Sequence, residues 1–295
     1  MFPELIVKRK LTNEASQWLS RNVSNDEIQA ALFQMSPDKA PGPDGYNAFF
    51  FQKKKDIIGT DICRAIHSFF NSGRILTEVN HTLITLVPKS PNASVLSDFR
   101  PISCCNTIYK LISNILANRL QRVIGELISP NQSAFLKGRI ISAVSLLAHE
   151  LVRDFNKTMG SRLCLKVDLQ KAFDTLNKEF IYYMFHCMGF SHRWIKWIKE
   201  CLYSASFSIM LNGSPAGNFS SSRGVRQGCP LSPYLFVMVM EFWTMSMDMA
   251  LASRAIYPLR RTENLIISNL LFADDLLVLC KENLKFAIGI NESFE

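Results

Sequence analysis

With 295 residues, 48% of them hydrophobic, the chain has the material for a large apolar core and for two lobes, which excludes disorder as its organising state. Lys and Arg number 33 against 25 Asp and Glu, giving a net charge of +8 and a pI near 9.1, a balance that suits a polyanionic partner and equally a merely basic protein. The eight cysteines form no C-x-x-C pair and have no His at ligand spacing, so a zinc module and a disulfide framework drop out and the thiols read as reduced core filler.

The apolar stretch in MFPELIVKRK is too short for a signal peptide, and the most apolar window, Tyr234 to Ala252, is interrupted by Glu241 and Asp248. The expectation is an intracellular chain with no membrane partner. A short amphipathic helix is predicted over 24–35, where capping residues precede Ile28, Ala31, Leu32 and Met35 at helical spacing. It runs into a shaped loop, because Pro37, Pro41, Gly42, Pro43 and Asp44-Gly45 forbid regular structure.

A helix over Ile57–Asn71 carries Ile58, Ile62, Ile66 and Phe69 on one face, and TLITLVPK (82–89) reads as a strand stopped by Pro88. SDFRPIS then leads into a helix from Thr107 to Ile124 whose apolar face is Ile108, Leu111, Ile115 and Val123. That pattern puts Lys110, Arg119 and Arg122 on an outer face meeting solvent or phosphates. A further helix is expected over Ile140–Phe155, then an apolar strand, RLCLKVDL (162–169), bearing Asp168, and a helix over QKAFDTLNKEFIYYMF.

Asp168 alone reads as a turn-former or helix N-cap. The stretch LLFADDLLVLC (270–280) changes that reading, since two adjacent carboxylates inside an apolar run are costly without a cause. Near-continuous apolar flanks suit a hairpin with Asp274 and Asp275 at its tip. If the strands are neighbours in one sheet, three carboxylates converge, and hard divalent cations relieve their repulsion. Two such ions about 4 Å apart make phosphoryl transfer the favoured chemistry.

VDLQKAFD (167–174), RQGCPLSPYLF (226–236) and FADD (272–275), in that order, resemble the central motifs of reverse transcriptases, with the nearest likeness to the polymerases of plant non-LTR, LINE-type retrotransposons. KAPGPDG (39–45), ITLVPK (84–89) and DFRPIS (98–103) are similar to upstream motifs of that family, so the resemblance spans about residues 24–280. It implies an α+β right-hand polymerase: fingers, then a palm made of an antiparallel sheet backed by helices. The expected organisation is a lead-in over 1–30, a fingers-like region over 31–160 and an incomplete palm over 161–295, with the thumb missing.

By the same resemblance, Asp168, Asp274 and Asp275 are the catalytic and metal-binding carboxylates. They hold two Mg²⁺ ions, with Mn²⁺ as a substitute, while a DNA primer 3′-hydroxyl attacks a deoxynucleoside triphosphate opposite an RNA template. Lys89 and Arg100 are expected to neutralise the triphosphate. Phe173, five residues after Asp168, is the ring that excludes a 2′-hydroxyl, with core packing as the alternative. Gln227 and Gly228 are expected to hold nucleotide and template, with Arg226 as a nearby charge of undecided role. Lys137 and Arg139 read as template-backbone contacts outside the core set.

A non-catalytic remnant that only binds nucleic acid is the alternative reading, motivated by the short stretch after Asp275. A two-metal nuclease would leave Phe173 and the RQG segment without a task, and an RNA polymerase is held off by Phe173. Oligomeric state and localisation carry no expectation beyond the nuclear access that the resemblance implies.

Overall fold

The computed structural model describes residues 7–153, 162–254, 256–257, 259–262 and 265–281. The chain divides into two units, the first built on Lys10–Val123 and Phe173–Leu235, the second on Ile124–Ala172 and Phe236–Glu295. The expected α+β architecture is present.

The chain opens in the first unit with α1 (Asn13–Leu19), α2 (Asn25–Gln34), α3 (Ala48–Lys53) and α4 (Lys55–Ser72). Side-chain caps set the first three starts: Thr12, Ser24 and Asn47 each accept a backbone N–H three residues on. Gly73, in the left-handed region at φ +64°, ends α4. The predicted loop after α2 contains no helix or strand over residues 36–42, and Asn106 holds it by accepting from the Asp44 amide at 3.1 Å.

Next come β1 (His81–Pro88), β2 (Phe99–Cys105) and α5 (Thr107–Leu127). The strand β2 has no counterpart in the sequence reading, and it carries Pro101, which cannot donate to a ladder. It is tolerated because β2 is the edge of its sheet and needs no donor on one side. In α5, Leu111, Ile115, Leu116 and Leu120 are fully buried, each worth about 1.5–3 kcal/mol.

The outer-face expectation fails for Arg119, which is 1% exposed. Its guanidinium grips Glu27 at 2.7 and 2.8 Å and donates to the carbonyls of Leu19, Arg21 and Asn22. The turn between α1 and α2 covers this face of α5, so the arginine closes a helix junction instead of meeting phosphates.

The chain passes to the second unit for α6 (Ile141–Val152) and β3 (Arg162–Asp168), then returns for α7 (Ala172–Thr175), α8 (Lys178–Cys187) and α9 (His192–Tyr203). The single helix expected after Asp168 is therefore broken. Asn177 caps α8 by accepting from the Glu179 and Phe180 amides, so α7 is left as one turn. Trp194, Trp197, Ile198 and Cys201 on α9 are buried, and the Trp197 ring meets Phe70 edge-on with centroids 4.9 Å apart.

The hairpin of β4 (Ser206–Leu211) and β5 (Ser214–Ser220) follows, then α10 (Ser232–Ala252). The first unit's sheet runs β2-β1-β4-β5, with β1 and β4 parallel and the outer pairs antiparallel. Length and composition would let α10 cross a membrane; here half of it is buried in the protein, and buried Glu241 accepts from the Ser129 amide and hydroxyl at 3.0 and 2.9 Å. The second unit ends with β6 (Leu259–Thr262), β7 (Leu265–Ile267), β8 (Asn269–Phe272) and β9 (Asp275–Lys281). Its three-stranded antiparallel sheet has the order β3-β9-β8. Leu151 of α6 packs with Leu270 and Leu279 against it.

All eight cysteines are free thiols, four of them buried. Burial pushes the Cys201 thiol up to about 12.

Candidate active site

The acid pair lies where the hairpin turns. Phe272 pairs with Asp275, leaving Ala273 and Asp274 as a two-residue loop. A positive φ at the first loop residue alone, +53° at Ala273, follows the II′ pattern that matches strand twist. A non-glycine residue held there is strained by about 1–2 kcal/mol. The neighbouring segment of the same unit supplies the restraint.

Gln132, fully buried, accepts at Oε1 from the Ala273 amide at 3.2 Å and from the Ala134 amide at 3.0 Å. Around it, Leu271 donates to the Asn131 carbonyl at 2.8 Å and accepts from the Ser133 amide at 3.1 Å. NQSA thus acts as a short strap that fixes the turn. The sequence reading gave this stretch no role, and only a buried-side glutamine next to a turn signal could have hinted at one.

Asp168, last residue of β3, stands directly opposite Asp275, first residue of β9. Side chains of an in-register antiparallel pair share one face with Cβ atoms about 4.5–5.5 Å apart, and like charges there repel. Lys166, two residues back on the same face, puts its ammonium 3.2 Å from Asp275. Asp168 and Asp275 are exposed and Asp274 is half-buried. Among the described residues, no group of three His, Cys, Asp or Glu side chains is gathered closely enough to hold one metal ion. The three acids stand as a register pair plus its turn neighbour.

The donor set is nonetheless that of a hard cation: carboxylate oxygens alone, solvent-facing, and already drawing an ammonium. Mg²⁺ takes such ligands together with phosphate oxygens and water. The residues present therefore fit the divalent ion that the resemblance implies.

The remaining expected residues lie in the first unit. Lys89 follows β1; its amide donates to the Asp98 carbonyl and its ammonium to the Ser97 carbonyl, both at 2.8 Å. Arg100, on β2, pairs with Val87 of β1 and is exposed. Phe173, half-buried on α7, accepts at its carbonyl from the Val225 amide at 2.8 Å.

Gln227 accepts at its carbonyl from the Ser103 amide at 2.9 Å, and its side-chain amide reaches Asp174 at 3.4 Å. At Gly228, φ is +102° and a Cβ would stand 3.3 Å from the Ser103 carbonyl, so the loop lies close on β2 and needs glycine there. Beside these residues is a cavity of about 230 Å³, lined by Asp174, Gln227, Phe207 and Phe219 among others.

Arg226, whose role was undecided, is 5% exposed. It donates to Asn80 Oδ1 and to the Cys201 carbonyl, both at 2.7 Å, and lies 3.8 Å over the Tyr109 ring. It anchors the loop from beneath. Arg139 likewise is spent on carbonyls at the end of α5, with Ile128 at 2.9 Å and Ser129 at 2.5 Å, which removes its guanidinium from the expected template contact.

The family model described as Reverse transcriptase (RNA-dependent DNA polymerase) matches residues 87–294. The Xenopus laevis protein named Transposon TX1 uncharacterized 149 kDa protein is 30% identical over 76% of this chain and 17% of its own length. The Retrovirus-related Pol polyprotein from type-2 retrotransposable element R2DM of Drosophila melanogaster is 23% identical over 92% of this chain and 24% of its own. That from the type-1 retrotransposable element R2 of Popillia japonica is 27% identical over 88% and 35%. The chain thus spans about a third or less of each of these three relatives.

Proposed function

Because this chain belongs to the reverse transcriptase (RNA-dependent DNA polymerase) family, we propose that it is the RNA-directed DNA polymerase domain of a non-LTR retrotransposon protein, extending a DNA primer along an RNA template. The observation that carries the reading is the facing pair Asp168 and Asp275 beside Asp274 in a strapped two-residue turn. In the proposed step the primer 3′-oxygen forms a bond to the α-phosphorus, the bond to pyrophosphate breaks, and the hydroxyl proton passes to solvent or base.

Asp168, Asp274 and Asp275 would hold two Mg²⁺ ions, or Mn²⁺ in their place. When bound, these ions supply a more nucleophilic 3′-oxygen and charge stabilisation of the departing pyrophosphate. Lys89 and Arg100 neutralise the triphosphate of the deoxynucleotide, Phe173 closes the space a 2′-hydroxyl would need, and Gln227 with Gly228 holds nucleotide and template. In organisation, residues 31–160 correspond to fingers and residues 161–295 to palm.

The test is primer extension on an RNA template with Mg²⁺, wild type against Asp274→Asn. Template-directed incorporation by the wild type and its loss in the variant is the expected result. Equal incorporation by both, or none by either, overturns the catalytic reading. A second reading, a nucleic-acid binder without catalysis, draws on the Lys166 ammonium already resting on Asp275. It predicts RNA binding by both proteins with no incorporation.

A further inference from the structure

The first unit carries a groove that none of these roles uses. The consecutive helices α8 and α9, joined by residues 188–191, enclose a cleft of about 420 Å³. Tyr182, Tyr183 and His186 face it from α8, and His192, Lys196 and Lys199 from α9. On α9 the spacing i, i+4, i+7 makes one helix stripe about two turns or 10 Å long, while Tyr182 and His186, at i and i+4, cover about one turn of α8.

Its chemistry is cationic and aromatic. The Lys199 ammonium lies 5.6 Å over the Tyr182 ring and 5.7 Å over that of Tyr203. Lys196 donates one of its three N–H bonds to the Ser72 carbonyl at 2.7 Å and is otherwise exposed. His186 and His192 are exposed, both beside the 188–191 connection. The carboxylate in the lining, Glu179, accepts from the Tyr203 hydroxyl.

Tyr182 is 6% exposed and its hydroxyl is closed to solvent, so it lines the cleft as a wall and not as a donor to an incoming group.

We infer that this groove is a second nucleic-acid contact, taking the phosphates of a single strand on Lys196, Lys199, His186 and His192 along the wall that Tyr182 and Tyr183 form. Exposed cations along a narrow cleft with aromatic walls suit an unpaired strand, whose bases reach a ring while its backbone follows the charges. A duplex presents its phosphates on a convex cylinder too wide to enter. The groove uses none of Asp168, Asp274 and Asp275, and the inference stands or falls without them.

The test is photocrosslinking of a short single-stranded RNA carrying 4-thiouridine to the whole chain, with crosslinked peptides mapped by mass spectrometry. Crosslinks on the α8–α9 peptides, lost in Lys199→Glu and in His186→Glu, are expected. Fluorescence anisotropy should show the log–log salt slope of RNA binding falling by about 0.7 in Lys199→Glu. Lys196 is left unchanged because it also caps α4, and thermal melts confirm that the variants fold. The inference is overturned if no crosslink maps to these helices in the wild type, or if free deoxynucleoside triphosphate at equal phosphate concentration removes them, which would mark a mononucleotide site. Asp274→Asn separates the two readings, since it should abolish extension and keep the groove crosslinks.

Discussion

Asp168 and Asp275 face each other across the β3–β9 ladder, and the only ammonium ion-paired with either among the described residues is that of Lys166, 3.2 Å from Asp275. The site proposed to accept metal cations is thus held by a built-in one. Exposed on both sides, the pair is worth at most about 1 kcal/mol, little enough to yield when a divalent ion competes.

Lys166→Met should therefore tighten Mn²⁺ binding, measured by paramagnetic resonance of free ion, by several-fold. The metal-free protein should lose no more than about 1 kcal/mol of stability. Unchanged or weaker Mn²⁺ affinity would show that the ammonium does not compete for the acids.

The Gln132 strap predicts a larger effect. Gln132→Leu leaves the amides of Ala134 and Ala273 without their acceptor. Two orphaned donors cost about 2–4 kcal/mol, read as a lower urea midpoint at constant m. Because the turn carrying Asp274 is released as well, extension should fall more steeply than the folded fraction under native conditions. A midpoint shift below about 0.5 kcal/mol would remove Gln132 from this role.

Glu241 sets a pH dependence. Burial raises its carboxyl above 4.5, against the lowering effect of its bonds from Ser129. The folded state then holds the proton more tightly than the unfolded one, so this contribution is fully present below pH 4.5 and lost as pH rises through the folded value. Glu241→Gln should flatten that part of the stability curve, measured by denaturant midpoints across the range. A variant curve parallel to the wild type would contradict the assignment.

Phe173→Ala tests the sugar gate. Ribonucleotide incorporation relative to deoxyribonucleotide should rise roughly 10–100-fold, the range open to a steric pocket change. A ratio unaltered while stability drops would mean that the ring only packs.

The hairpin was readable because its acids interrupt two apolar runs, a pattern set within a dozen residues. The ladder opposite it was not, since Asp168 finds Asp275 only through pairing over long sequence distance. Buried polar residues were the systematic miss. Arg119, Arg139 and Arg226 look alike in sequence to any solvated arginine, and only the carbonyls and the carboxylate that remote segments bring to them make them structural. The β4–β5 hairpin was readable and was missed: Asn212 and Gly213, both at positive φ, are the dipeptide that a type I′ turn demands. The roles of Lys89, Arg100, Gln227 and Gly228 came from resemblance to a family, and no periodicity would have suggested them.

The register that joins β3 to β9 also has a consequence in time. More than a hundred residues separate Asp168 from Asp275, and the strand between β3 and β8 in the sheet is the last in sequence among the described residues. During synthesis β3 therefore waits, its ladder edge unsatisfied, until the ribosome has released Lys281, and non-local pairing of this kind is slow and exposed to aggregation. The acid pair comes into register only once nearly the whole described chain exists, so a nascent chain stalled short of β9 carries Asp168 with no opposing carboxylate.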